Sequence, residues 1–255
     1  MASVVKDRND EQVQPGAAAQ LRVDLAAALR MAARLGMHEG VCNHFSAQMP
    51  GRPDRFLMNP RGRHWSRMRA SDLIVIDADG NTVEGKGRPL RTGHTIHTRM
   101  HMLHPDAPVV LHTHMPYATA LAALRDGELL PVHQNSTRFL GNIAYDRDFG
   151  GIAFGVEEGE RMAKACGDKR VLFLANHGVV VIGDSVAEAF DDLFFLERAC
   201  QVQVMAMWTG QPLALIPEQM AAETARQFAN RADSARVHFA EVKAILDDEE
   251  PEYAR

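Results

Sequence analysis

Val109-Val110-Leu111-His112-Thr113-His114 is an unbroken apolar run that ends in two histidines one residue apart. In extended backbone successive side chains point to opposite faces, so His112 and His114 project from the same side. Later in the chain, Leu174-Ala175-Asn176-His177-Gly178 repeats the setting, with Val171-Leu172-Phe173 leading in and Val179-Val180-Val181-Ile182-Gly183 leading away. A third imidazole brought in from another strand would complete one facial half of a metal's shell and leave other positions open, the arrangement of a catalytic divalent metal. With 12 histidines in the chain, an isolated one is commonly just a satisfied polar residue. The context favours the metal: Met115-Pro116-Tyr117 opens a helical stretch through Leu124, with Pro in its first turn. Strand ends that open into helices are where sites form in α/β sheets.

The 255 residues, 46% hydrophobic, suffice for one sizeable α/β domain. A formal charge of -5 and a pI near 6.2 leave no basic stripe to neutralise phosphates, which argues against a nucleic-acid binder. Cys42, Cys166 and Cys200 have no paired spacing and read as buried, reduced thiols. Residues 1–20 are charged, then polar and Ala-rich, with no signal peptide, and no apolar stretch approaches the roughly 20 residues of a membrane span. The expectation is a cytoplasmic protein with no membrane association. A single domain over residues 19–245 is expected between a loose N-terminus (1–18) and a loose acidic tail (246–255, with Asp247-Asp248-Glu249-Glu250-Pro251-Glu252).

Along the chain the elements alternate without an internal repeat. Residues 21–35 have helical periodicity stopped by Gly36, and 43–48 and 55–58 read as short strands. Leu73-Ile74-Val75-Ile76-Asp77 and Thr82-Val83-Glu84 form a hairpin across Asp79-Gly80. Residues 95–103 read as a helix carrying His97 and His101 four apart, a conceivable metal pair. The preferred reading is a histidine-lined helix beside the site, of which only His97 faces inward. Ser185-Val186-Ala187-Glu188 is a capping box that opens a long helix through Met207, and its apolar face marks core or subunit contact.

Five motifs occur in a fixed order: Gly40-Val41-Cys42-Asn43-His44-Phe45-Ser46-Ala47, Asn59-Pro60-Arg61-Gly62, the strand ending in His112 and His114, the segment from Tyr145 to Gly151, and Asn176-His177-Gly178 before a capped helix. In this order the chain resembles the class II aldolase/adducin family, from about residue 21 to residue 209. The resemblance implies a three-layer α/β/α sandwich around a mainly antiparallel central sheet. It also implies a homotetramer with active sites at subunit interfaces, and His112, His114 and His177 as ligands of Zn2+ or Mn2+, with Fe2+ in some relatives.

One departure from the family pattern bears on function. The sugar-phosphate aldolases of the family place an acid/base Glu ahead of the H-x-H pair, and that position falls near Gly93 in Arg91-Thr92-Gly93-His94. No carboxylate lies between Arg88 and Pro105. The chain is therefore closer to members lacking that Glu. The serines that hold a substrate phosphate are replaced by Arg91 and Thr92, and a small polar Asn of the pocket by His44, so a phosphorylated ketose is a doubtful substrate. Arg91, Thr92 and Asn43 are candidate substrate-binding residues, Arg91 as a bidentate clamp on a carboxylate or else as a surface ion pair. His44 and His94 are candidates for moving a proton near neutral pH. Tyr145 matches the place where the aldolases present a proton donor from a neighbouring subunit, and Glu39 is an outside candidate for a relocated acid/base. Metal and imidazoles without a carboxylate base suit a carbon-carbon lyase acting on a small carboxylate or hydroxy-carbonyl substrate. A decarboxylase of a hydroxy-aromatic or oxo acid ranks first, then an aldolase with a relocated base. An Fe(II) oxygenase of an aromatic acid and a non-catalytic adducin-like module remain as alternatives.

Overall fold

A computed structural model describes residues 16–104, 106–152, 155–229 and 231–255. The apolar runs assemble into one eight-stranded sheet in the order β4-β3-β2-β1-β5-β8-β7-β6. Its strands are β1 (His44–Met49), β2 (Arg52–Met58), β3 (Ile74–Ile76), β4 (Thr82–Glu84), β5 (Val109–Thr113), β6 (Ile143–Asp146), β7 (Val171–Leu174) and β8 (Gly178–Gly183). Neighbours are antiparallel except β6 with β7. β5 and β8 lie at the centre and are buried throughout. That is why they read as continuous apolar runs and not as an alternating pattern.

Strand alternation sends Val110, Leu172, Val180 and Ile182 to one face, where they pack on Ile96 and Met100 of α2 (Arg91–Leu103) and Met162 and Cys166 of α4 (Val156–Cys166). The opposite face, with Phe45, Leu111, Phe173 and Val181, is covered by α1 (Ala17–Arg34), α3 (Pro116–Ala122), α5 (Val186–Trp208) and α7 (Ala232–Glu249). Two helical layers on one sheet give the three-layer α/β/α sandwich. A further helix, α6 (Glu218–Gln227), is largely exposed. The capping box at α5 forms as expected: Ser185 Oγ accepts the Glu188 N–H at 3.2 Å. Among the described residues no helix is long and apolar enough to cross a membrane.

Three expectations are corrected. The acidic tail is not loose: α7 continues to Glu249, a 3-10 turn spans Pro251–Ala254, and Tyr253 is 1% exposed. Its acids have partners far away in sequence. Arg30 of α1, itself buried, donates to Glu250 at 2.6 Å and Glu252 at 2.8 Å, and Arg34 pairs with Glu249. A run that reads as solvated is thus the counter-charge of α1. At the other end, residues 17 and 18 already belong to α1, while residues 1–15 lie outside the described residues. Of the thiols, Cys166 and Cys200 are buried and Cys42 is exposed.

A buried ion network ties α5 to its surroundings. Asp191 accepts from Arg138 and, at 2.8 Å, from His238 of α7, and Asp192 accepts from Arg231 at 2.6 Å. Asp191 is 2% exposed and Arg138 8%. Removing one partner of such a pair strands the other charge in a poorly solvating interior. Asp191→Ala is therefore expected to cost about 3–5 kcal/mol of stability, read as a lower midpoint in a urea titration; a midpoint within error of wild type would count against it.

Candidate functional site

The carboxyl end of the H-x-H strand and the turn before β8 meet. One ligand atom each from His112, His114 and His177 lie within 4.8 Å of one another. His112 ends its run on β5, and its Nδ1–H donates to the Val179 carbonyl at 3.0 Å. His114 Nδ1 donates to a Glu39 carboxylate oxygen at 2.6 Å. With Nδ1 engaged, each ring is left with Nε2 as its lone pair, the tautomer a metal ligand needs. His177 is carried by a turn in which Asn176 takes a left-handed backbone (φ 55°), unique to it among the described non-glycine residues. Asn tolerates that region better than other residues with a Cβ. The turn is pinned by Asn176 N–H to Ala122 O at 3.0 Å and His177 N–H to Leu174 O at 3.1 Å. Gly178 follows because a Cβ there would sit 2.5 Å from Thr113 O and 2.9 Å from the His114 ring.

Burial holds His112 well below the ordinary imidazole value, with the neighbouring imidazoles adding to it, and brings His177 down to about 4. Those two rings are therefore neutral at physiological pH. Three converging imidazole nitrogens, with hydrogen bonds setting the tautomers of His112 and His114, fit a divalent cation.

The triad opens on a cavity of about 500 Å³ whose wall includes Leu90, Thr92, Ile96, Thr119, Phe149, Ile152, Cys42, Glu39 and His44, a size ordinary for a small-molecule site. His44 pairs with His112 across β1 and β5, and the two rings stack at 4.8 Å. A Cβ built on Gly93 would lie 2.7 Å from His44 Cδ2. The His44 ring therefore fills the space that a side chain at position 93 would claim. Glycine inside a helix costs about 0.5–1 kcal/mol relative to Ala, and this close approach explains its presence.

The other sequence candidates divide. Thr92 is on the cavity wall, whereas Arg91, the first residue of α2, is exposed and stands outside it. Asn43 is buried beneath the site and accepts the Glu39 N–H at 2.7 Å, so it shapes the loop and does not face the cavity. His94 packs against the β3–β4 hairpin, where a Cβ on Gly80 would lie 2.5 Å from its Nδ1, and burial and then the Arg91 charge lower its pKa. It is carried by α2, which starts at Arg91, four residues earlier than its sequence pattern indicates, and it does not line the triad's cavity. Tyr145 lines a separate cavity of about 490 Å³ that shares only Asn176 with the first. Its hydroxyl accepts the Leu129 N–H at 3.0 Å, and burial pushes its pKa up to about 12. His101 points inward along with His97, contrary to expectation: both are buried, His97 0% and His101 5% exposed. Thr119, absent from the sequence reading, has a buried hydroxyl without a protein partner among the described residues. Its Met-Pro-Tyr-Ala-Thr context identifies a helix and nothing more.

Comparison with known proteins agrees with this geometry. A Caulobacter vibrioides protein named for the aldolase class 2 group is 38% identical over 209 residues, covering 82% of this chain and 80% of its own length. The decarboxylase NovR of Streptomyces niveus is 32% identical over 211 residues, covering 82% of this chain and 77% of NovR. Mouse alpha-adducin is 35% identical over 191 residues, 73% of this chain but only 26% of adducin. A crystal structure of an aldolase II superfamily protein from Pseudomonas syringae superposes with a TM-score of 0.88 at 33% identity, over 99% of this chain and 100% of that one. Residues 23–204 match the model of the class II aldolase and adducin N-terminal domain, and the chain belongs to that family.

Proposed function

We propose that the protein is a metal-dependent carbon-carbon lyase, acting foremost as a decarboxylase of a hydroxy-aromatic or oxo acid. The observation that carries this reading is the converging His112, His114 and His177 set beside a cavity in which the His44 imidazole fills the space next to Gly93, with no carboxylate at that position. The likeness to NovR supports the reaction class. A divalent ion held by the three imidazoles supplies a Lewis acid that stabilises negative charge developing on a substrate oxygen as the adjacent carbon-carbon bond breaks. Around it, Leu90, Ile96, Phe149 and Ile152 offer apolar surface for an aromatic face and exclude water, and the Thr92 and Thr119 hydroxyls offer hydrogen bonds to a carboxylate. His44 accepts or returns the substrate proton. Glu39, on the same wall, is occupied in orienting His114. In a homotetramer of the kind the family resemblance implies, Tyr145 acts at a neighbouring copy's triad, since in its own protomer it lines a different cavity.

Glu39→Ala is expected to weaken metal retention about 10–100-fold, the usual effect of removing a carboxylate behind a ligating histidine. Competition against a calibrated chelator measures it, and unchanged affinity would remove Glu39 from that role. The function itself is tested by elemental analysis of the purified protein together with carbon dioxide release from a panel of hydroxy-aromatic and oxo acids, with and without chelator. Chelator-sensitive release supports the decarboxylase. Bound metal without release favours aldol cleavage with His44 as base. Absence of metal favours the non-catalytic reading, to which the adducin likeness lends weight.

A further inference from the structure

We propose that Ser46, His97 and His101 form a buried, one-directional hydrogen-bond chain that locks His44 in the tautomer with a bare Nε2 on the cavity side. This rests on His44 being the proton-handling group of the proposed reaction. The chain arises from a match of periods: residues two apart on a strand are about 6.6 Å apart and residues four apart on a helix about 6 Å. His44 and Ser46 of β1 therefore interleave with His97 and His101 of α2. His44 Nδ1 lies 2.9 Å from His97 Nε2, His97 Nδ1 2.5 Å from Ser46 Oγ, Ser46 Oγ 2.7 Å from His101 Nε2, and His101 Nδ1 2.5 Å from the Ala107 carbonyl oxygen.

The direction follows from the far end. A carbonyl can only accept, so His101 Nδ1 carries the hydrogen. A neutral imidazole has one N–H, which leaves His101 Nε2 as an acceptor, and the Ser46 hydroxyl must donate to it. That hydroxyl has no second hydrogen, so it accepts from His97 Nδ1–H. His97 Nε2 is then a lone pair and takes the hydrogen of His44 Nδ1. Each ring in turn has its tautomer set, and His44 Nε2 is left bare. All four side chains are at most 5% exposed, so every polar atom of theirs except His44 Nε2, which is turned to the cavity, finds its partner within the chain. Burial brings His101 down to about 4, in keeping with a neutral ring. Because the chain ends on a backbone carbonyl, which has no proton to give, it holds a tautomer and does not conduct protons. Ser46, His97 and His101 are positioning residues. The two helical histidines that suggested a metal pair have this role in place of ligation.

The test is the tautomer of His44 in full-length protein labelled with 15N-histidine, read at neutral pH from long-range proton–nitrogen correlations and assigned by loss of its signals in His44→Gln. The expected wild-type result is a protonated Nδ1 and a pyridine-type Nε2; a protonated Nε2 overturns the proposal. In Ser46→Ala the pyridine-type signal should be lost from Nε2, and kcat should fall about 100-fold, the low end for a misplaced proton acceptor, with KM and metal content unchanged. An unchanged His44 tautomer in that variant also overturns it. His101→Phe provides a second variant, since its ring can keep the stack that His101 makes on Phe56 at 4.7 Å while removing the anchor. Carbon dioxide release plays no part in the tautomer measurement. A bare Nε2 in a protein that releases none would sink the functional reading and leave the chain standing.

Discussion

His177→Ala is expected to remove bound metal and chelator-sensitive turnover together while leaving the fold intact. Of the three imidazoles it makes the cleanest test. His112 is 1% exposed, stacks on His44 and bonds Val179 O, so its loss also opens a core void. His114 holds Glu39, and its removal frees a carboxylate next to the site. His177 projects from a turn that is fixed by backbone hydrogen bonds and by the backbone of Asn176, none of which uses the imidazole. Truncation therefore subtracts one donor and little else. Losing a ligand should exceed the roughly 10–100-fold loss assigned to the supporting Glu39, enough to strip the ion during gel filtration. Elemental analysis and a thermal melt on the same sample separate the two effects. Stoichiometric metal in a folded His177→Ala protein would exclude this residue from the shell, and with it the three-imidazole centre.

The parts of the site that were legible in the sequence are the local ones. His112 and His114 share a face because strand side chains alternate, and His177 declares itself by an apolar strand on either side. These need only a few residues of context. What escaped depends on partners distant in sequence. Asn43 and His44 are adjacent and polar, but only the pairing of His44 with His112 sends one to the cavity and the other beneath it. The helical pair His97 and His101 has metal-ligand spacing, and nothing local reveals Ser46 between them. The tail is the same case in charge: its acids look solvated until α1 brings Arg30 and Arg34 to them across the fold. The element types are legible in each segment's own pattern, whereas the three layers follow from the family resemblance, and the sheet order, which sets β1 beside β5, depends on pairings distant in sequence.

Gly93→Glu should abolish turnover and lower stability, and His44→Ala introduced beside it should restore much of the stability. A side chain at position 93 meets the His44 ring: its Cβ would be 2.7 Å from His44 Cδ2 and 3.0 Å from Cγ, well inside contact distance. Either α2 shifts, disturbing Ile96 and Met100 against the sheet, or the His44 ring swings out and gives up His97 and the stack on His112. Overpacking of this kind costs about 1–3 kcal/mol, and on either route the imidazole leaves its place on the cavity wall. Removing the ring by His44→Ala empties the volume that the introduced side chain needs. The two changes should therefore be strongly non-additive, the double variant being more stable than the sum of the single losses. Urea titrations of all four proteins supply the cycle. Strict additivity would mean that residue 93 and His44 do not compete for one space, and the proposal that the His44 imidazole takes the place of a side chain at position 93 would fall with it.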